Sequence, residues 1–134
     1  MLHNKNIALA LEENAKRRGG HPAIIDGPRT FSYRDLDIKV RKITEHIRNQ
    51  NIKEGSIVGV SLPDTADHLM VLFALARLGA VILPIDWRWA EEEIINVSTF
   101  FNVSLVIGLP EKKLNEFRFI AINDEWHTSV ESQT

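Results

Sequence analysis

Apolar positions recur along the chain with two periods, and the switch between them lays out its elements. Over residues 4–18, Ile7, Leu11 and Ala15 share one side of a helix that Gly19-Gly20 stops. Two short apolar runs, 23–25 and 30–31, flank Asp26-Gly27-Pro28 and read as a hairpin. Ser32 then caps a helix, with Asp35 three residues on as in a capping box. Leu36, Val40, Ile43 and Ile47 give that helix one apolar stripe.

From residue 57 the pattern changes to dense apolar runs. Residues 57–62 form a β-branched strand ended by Pro63. Asp64 and Thr65 cap a helix that is apolar on nearly every face, so it is expected to be buried, and Gly79 suits its left-handed end. A second strand covers 80–83. Glu91, Glu92 and Glu93 open a further helix whose apolar face is expected from Ile94, Ile95, Val97, Phe100 and Phe101. Residues 104–107 and 119–122 read as strands, with one or two helical turns over 111–116.

Strands and helices thus alternate with short connections, which implies parallel strands and right-handed crossovers. The expected class is α/β: an open, mostly parallel doubly wound sheet with helices on both faces, plus a small N-terminal helix and β-hairpin. One domain is expected over 1–134, with a helix at 1–20, a hairpin at 21–32, an α/β core at 33–123 and a frayed polar tail at 124–134. That length, 134 residues, suits a single core, and 44% hydrophobic with 25% charged residues reads as globular.

Composition removes several functions. The net charge of −2 and the helical setting of Lys16-Arg17-Arg18 and Lys39-Val40-Arg41-Lys42 argue for solvated faces, not a nucleic-acid footprint. Without cysteine there is no disulfide and no thiol nucleophile. The N-terminus lacks a signal-peptide core. The apolar stretch 69–85 is broken by Arg77 and Gly79 and gives no membrane span. A cytoplasmic protein is expected, and the sequons at Asn96 and Asn102 are read as chance.

Candidate chemistry is sparse. The sequence has no G-x-x-x-x-G-K-[ST], no G-x-G-x-x-G and no G-x-S-x-G, and the first strand–helix turn, "SLPDTAD", has no glycine for a pyrophosphate. His3, His21, His46, His68 and His127 share no metal-binding spacing and are assigned surface or structural roles. Asp64, Asp67 and Asp86 fall near the carboxyl edge of the sheet, where open α/β folds bind ligands. Asp64 reads as a helix cap and Asp86 as a turn residue accepting backbone hydrogen bonds. Arg88 is expected to pair with Glu91 or Glu92. Trp87 and Trp89 could stack a planar ligand, but paired aromatics after a strand are expected to close the core or meet another domain.

In order and spacing, four pieces resemble the N-terminal region of adenylate-forming enzymes: the acyl-CoA synthetases, adenylation domains and luciferases. They are Phe31-Ser32-Tyr33-Arg34-Asp35-Leu36, Ile52-Lys53-Glu54-Gly55-Ser56-Ile57-Val58, Leu62-Pro63-Asp64, and the run from Ala76 through Gly79-Ala80-Val81 to Pro84-Ile85-Asp86. The Trp87-Arg88 that follows is most similar to the fatty-acyl and aryl-CoA ligase branch. The resemblance implies a two-step ligase reaction, from carboxylate to acyl-adenylate to acyl-CoA, that uses ATP, magnesium and coenzyme A. The family's Ser/Thr/Gly-rich phosphate loop, its aromatic-Thr-Glu segment, its ribose-binding Asp and its lysine-bearing C-terminal domain have no counterpart here. No catalytic, cofactor-binding or metal residue is therefore assigned. The chain is expected to bind none of these cofactors alone, to be a truncated or partial ligase, and to self-associate or await its remainder. Two other readings stand: a non-catalytic scaffold or interaction protein reusing the half-fold, and an unrelated flavodoxin-like nucleotide-binding domain.

Overall fold

A computed structural model describes residues 6–133. The start of the first expected helix, at Asn4 and Lys5, lies outside the described residues, as do His3 and Thr134. Helix α1 spans Ile7–Arg17 and is capped by Asn6, whose side chain accepts the Ala8 N–H. Its buried residues are Ala8 and Leu11. Ile7, expected on the inner face, is exposed instead.

Strands β1 (Pro22–Asp26) and β2 (Arg29–Ser32) form the antiparallel hairpin, turning through Gly27 at φ 59°. Ser32 Oγ accepts the Asp35 N–H and starts α2 (Tyr33–Arg48). The expected stripe of Leu36, Val40, Ile43 and Ile47 is fully inside.

Four parallel strands follow: β3 (Ile57–Ser61), β4 (Val81–Pro84), β5 (Leu105–Gly108) and β6 (Phe119–Ala121), in spatial order β4-β3-β5-β6. Ile57 pairs with Val81, Val58 with Leu105, and Val106 with Phe119. The connections are α3 (Ala66–Leu78), α4 (Glu91–Phe100), and a single 3-10 turn at Pro110–Lys112 where one or two helical turns were expected. Gly79 ends α3 in the left-handed region at φ 75°.

The sheet separates two apolar clusters. On one face, α1, α2 and α3 meet Val58, Val60, Leu105 and Ile107 in the larger core. On the other, Ile94 of α4 joins Ile85, Val103, Val106 and Leu114. Helices therefore cover both faces, as the doubly wound class requires.

Two expectations fail here. The expected frayed tail at 124–134, of which Thr134 lies outside the described residues, is over Asp124–Glu131 the helix α5. Asn123 caps it by accepting the Trp126 N–H at 2.9 Å, and Trp126 and Val130, one turn apart, are buried in the larger core. Glu131 then pairs with Lys39 at 2.6 Å and Lys42 at 3.4 Å. Phe100 and Phe101 do not bury with α4; they stack edge-on to each other, 4.9 Å apart, at the surface. Ser98 takes the inner position instead.

Candidate functional site

The strand order reverses direction at β3, which neighbours both β4 and β5. In such sheets the crevice outside the carboxyl ends at this switch point is the usual ligand site. Here it opens between the ends of β3 and β5, flanked by the β3–α3 turn and the segment after Gly108; the hairpin reaches it through Asp26, and the β4–α4 turn is joined to it by Lys112 on the Trp89 carbonyl.

The β3–α3 turn presents the N-terminus of α3. Thr65, not Asp64, is the capping residue: its Oγ1 accepts the His68 N–H at 3.4 Å. The second cap comes from outside the helix. Asp26 of the hairpin accepts the Ala66 N–H on Oδ2 at 3.0 Å, and the same oxygen pairs with Arg29 at 2.9 Å. These contacts, the Ala66 N–H foremost and then Arg29, hold the Asp26 carboxyl below its ordinary pKa. Asp64 projects into solvent, 3.7 Å from Nδ1 of His68.

In the β4–α4 turn, Asp86 is the turn residue expected, accepting the Arg88 N–H at 2.9 Å. Arg88 does not pair with Glu91 or Glu92. Its Nε and Nη2 bind the two Asp86 oxygens at 3.0 and 2.8 Å, a bidentate clamp across two residues. The guanidinium and the backbone N–H of Arg88 together pull the Asp86 carboxyl down to about 2. Trp89 closes the turn by donating its N–H to the Asp86 carbonyl, and its own carbonyl accepts Lys112 Nζ at 3.3 Å. Trp87 and Trp89 are exposed (37% and 38%), so they do not close the core of this chain.

Beside the α3 N-terminus lies a groove of about 340 Å³ with Ile24, Ile25, Leu69 and Leu72 in its walls and Asp26 and Asp64 at its rim. The edge as a whole carries Asp26, Asp64, Asp67 and Asp86. Its arginines, Arg29 and Arg88, are both held by carboxylates.

The histidines are dispersed. His46 meets Trp126 edge-on at 6.2 Å, and burial lowers its pKa. His127 Nε2 is 3.3 Å from Asp67, tying α5 to α3, and His21 is exposed. Among the described residues, no three His, Asp or Glu side chains form a metal-binding group. No described helix is long and apolar enough to cross a membrane.

Sequence reasoning missed Asp26 as the cap of a helix 40 residues away. It also missed Asp37, buried on α2, which binds Arg77 of α3 at 2.9 Å while Arg77 also reaches Glu12 of α1 at 3.5 Å. A signal existed for one member of the second pair: Arg77 is a lone cation near the end of the apolar run of α3.

A family model described as "AMP-binding enzyme" matches residues 11–133. The chain is 30% identical over 95 residues to phosphinothricin tripeptide synthetase PhsC of Streptomyces viridochromogenes, covering 71% of this chain and 9% of that protein. It is 26% identical over 116 residues to syringomycin synthase SyrB1 of Pseudomonas syringae pv. syringae, covering 84% of this chain and 19% of that one. Among solved structures, 97% of the chain superposes on the Klebsiella oxytoca NpsA N-terminal subdomain in complex with anthranilyl-AMSN, with TM-score 0.83, 19% identity and 33% of that chain covered. For the Mycobacterium tuberculosis fatty acyl CoA synthetase the TM-score is 0.87, at 18% identity, with 29% of that chain covered. The chain thus spans a third or less of each of these relatives.

Proposed function

The chain belongs to the AMP-binding enzyme family, and on that premise we propose that it supplies the amino-terminal part of an adenylate-forming ligase and is inert by itself. In the reaction proposed for the whole unit, a carboxylate attacks the α-phosphate of ATP, pyrophosphate leaves, and a thiol then displaces AMP. Coenzyme A is the proposed thiol and a fatty or aromatic acid the proposed substrate. The Asp86-Trp87-Arg88 sequence and the likeness in fold to a fatty acyl CoA synthetase support that choice. The tripeptide synthetase among its relatives favours activation of an acid for peptide assembly as the second reading. A cytoplasmic setting is part of the proposal.

One observation carries the inertness: the Asp26 carboxylate on the Ala66 N–H. A helix N-terminus at the switch point is the place where a phosphate would sit. In this chain that place is filled by the chain's own anion, with Asp64 exposed beside it. The residues present do not fit magnesium and a triphosphate. Asp86 is committed to Arg88, Asp67 to His127, and both nearby arginines to carboxylates. The groups that grip triphosphate would come from the remainder of the ligase. Parted from it, the chain is proposed to self-associate through the partly exposed Trp87 and Trp89.

The test is pyrophosphate release by the purified chain with ATP, magnesium and a panel of fatty and aromatic acids. No acid-dependent release is expected, and calorimetry with ATP should show no binding. Release that depends on the acid would overturn the proposal.

A further inference from the structure

A second groove, of about 330 Å³, is walled by Arg41, Thr44, Glu45 and Arg48 of α2, Arg77 of α3, and Gln133 just past α5. The four α2 positions fall on one side of the helix, at the spacing of successive turns. The groove lies toward the amino ends of the strands, because the last turn of α2 leads into β3 and the last turn of α3 into β4. Three arginines from two helices line it, against one carboxylate, Glu45.

The protein leaves much of their hydrogen-bonding capacity unused. Asp37 joins two of them: its Oδ2 is 2.9 Å from Nη2 of Arg41 and its Oδ1 2.9 Å from Nη2 of Arg77. Glu12 approaches that same Arg77 nitrogen at 3.5 Å. Arg48 pairs with Glu45 through Nη1. Among the described residues, each guanidinium is thus paired with carboxylates through only one of its nitrogens. On Arg77 the other two, Nε and Nη1, are buried and meet no acceptor. Buried donors without a partner are costly, and a guanidinium carries five N–H groups. The polar neighbours do not relieve them: the Thr44 hydroxyl donates to the Val40 carbonyl at 2.7 Å, and Gln133 Nε2 to the Ser129 carbonyl at 3.3 Å.

Spacing sets the shape of the missing acceptor. Arg41 and Arg77 sit together on Asp37, whereas Arg48 follows Arg41 by two turns of α2, about 10 Å along the helix axis. A carboxylate fits the fork of one guanidinium, so two separated cationic ends call for two carboxylates. The volume is at the small end for a small-molecule pocket, which suits a short acid. We infer that this groove binds a small dicarboxylic acid, with one carboxylate at Arg41 and Arg77 and the other at Arg48. Glu45, between the two ends, competes for Arg48 and holds the affinity down. The site stands on α2 and α3 alone, whatever reaction the whole unit performs.

Succinate titrated into the full chain at constant ionic strength is the test, with acetate and inorganic phosphate as comparisons. Calorimetry should show saturable succinate binding about tenfold tighter than acetate or better. Amide shifts in heteronuclear spectra should centre on Thr44, Arg48 and Arg77. The paired change Arg41→Gln with Arg48→Gln, at two exposed side chains, should weaken binding about tenfold or more and leave the circular dichroism spectrum unchanged. Glu45→Gln should tighten it. Lys113→Gln, which removes a cation from a different groove, should leave it unaltered. No saturable binding, equal affinity for acetate, or indifference to the paired arginine change would overturn the inference. So would weaker binding in Glu45→Gln, or phosphate binding more tightly than succinate, since the groove would then read a single tetrahedral anion.

Discussion

Arg77 reaches from α3 to place Nη2 2.9 Å from Oδ1 of Asp37 on α2, with both side chains withdrawn from water (14% and 8% exposed). Asp37 also binds Arg41 at 2.9 Å, so one carboxylate joins two cations at the α2–α3 contact. Removing a partner from a buried pair leaves the other charge stranded. Asp37→Ala should cost about 3 kcal/mol or more in urea denaturation. The double change Asp37→Leu with Arg77→Met should recover most of that loss.

Gly79 sits at φ 75°, and an added Cβ would lie 3.2 Å from Cγ of Glu54. Gly79→Ala should lower stability by about 1–2 kcal/mol, mainly from the left-handed backbone. Gly20, where an added Cβ meets open space, provides the contrast. Gly20→Ala should leave the thermal midpoint nearly unchanged in the same calorimetric series.

Acid should destabilise the fold in two stages. His46 has a lowered folded pKa because burial penalises its charge, so the unfolded chain binds the proton first. Its contribution is present above about pH 6.5 and fades as pH falls below that value. Asp26 and Glu131 are lowered by hydrogen bonds from Ala66 and Lys39, and Asp86 is lowered to about 2 by Arg88. Their contribution is intact above about pH 4 and is lost toward pH 2. Denaturant titrations from pH 8 to 2 should show both declines. His46→Gln should flatten only the first and Asp86→Asn part of the second. A stability that rises on acidification would contradict this assignment.

The last helix should behave as structure. Trp126→Ala is expected to cost about 3–5 kcal/mol, as for other large buried aromatics. Asn123→Ala should cost about 1 kcal/mol through the lost cap. Protection of the Trp126 and Val130 amides in hydrogen exchange is the direct check; exchange at random-coil rates would refute it.

Much of this fold could be read from periodicity because its elements are locally encoded. The stripe of α2, the Ser32 cap, the Gly79 stop and the β-branched run of β3 each announce themselves within a few residues. Helix α5 was harder to see. Its two apolar contacts, Trp126 and Val130, sit among polar residues, and its stability comes from docking on α2 and α3. Phe100 and Phe101 misled in the opposite way: their apolar character implied burial that the turn after α4 does not deliver. At the carboxyl edge, the Asp86 turn was legible from local spacing, but its grip on Arg88 was not. Glu91 and Glu92 were nearer the expected helical geometry, and the clamp depends on a turn whose shape only the folded chain reveals. Asp26 lay beyond any local rule, because its partner amide belongs to an element 40 residues further on.

Strand β3 occupies an interior place, with β4 and β5 on its two sides. The first core strand to leave the ribosome therefore finds no neighbour waiting. Until α3 and β4 have emerged, the α2 stripe of Leu36, Val40, Ile43 and Ile47 has no sheet to rest on. A chain of which only the residues up to about 60 have emerged displays that stripe to the surrounding medium. Synthesis of this polypeptide thus passes through a window in which its longest helix is a ready target for a chaperone.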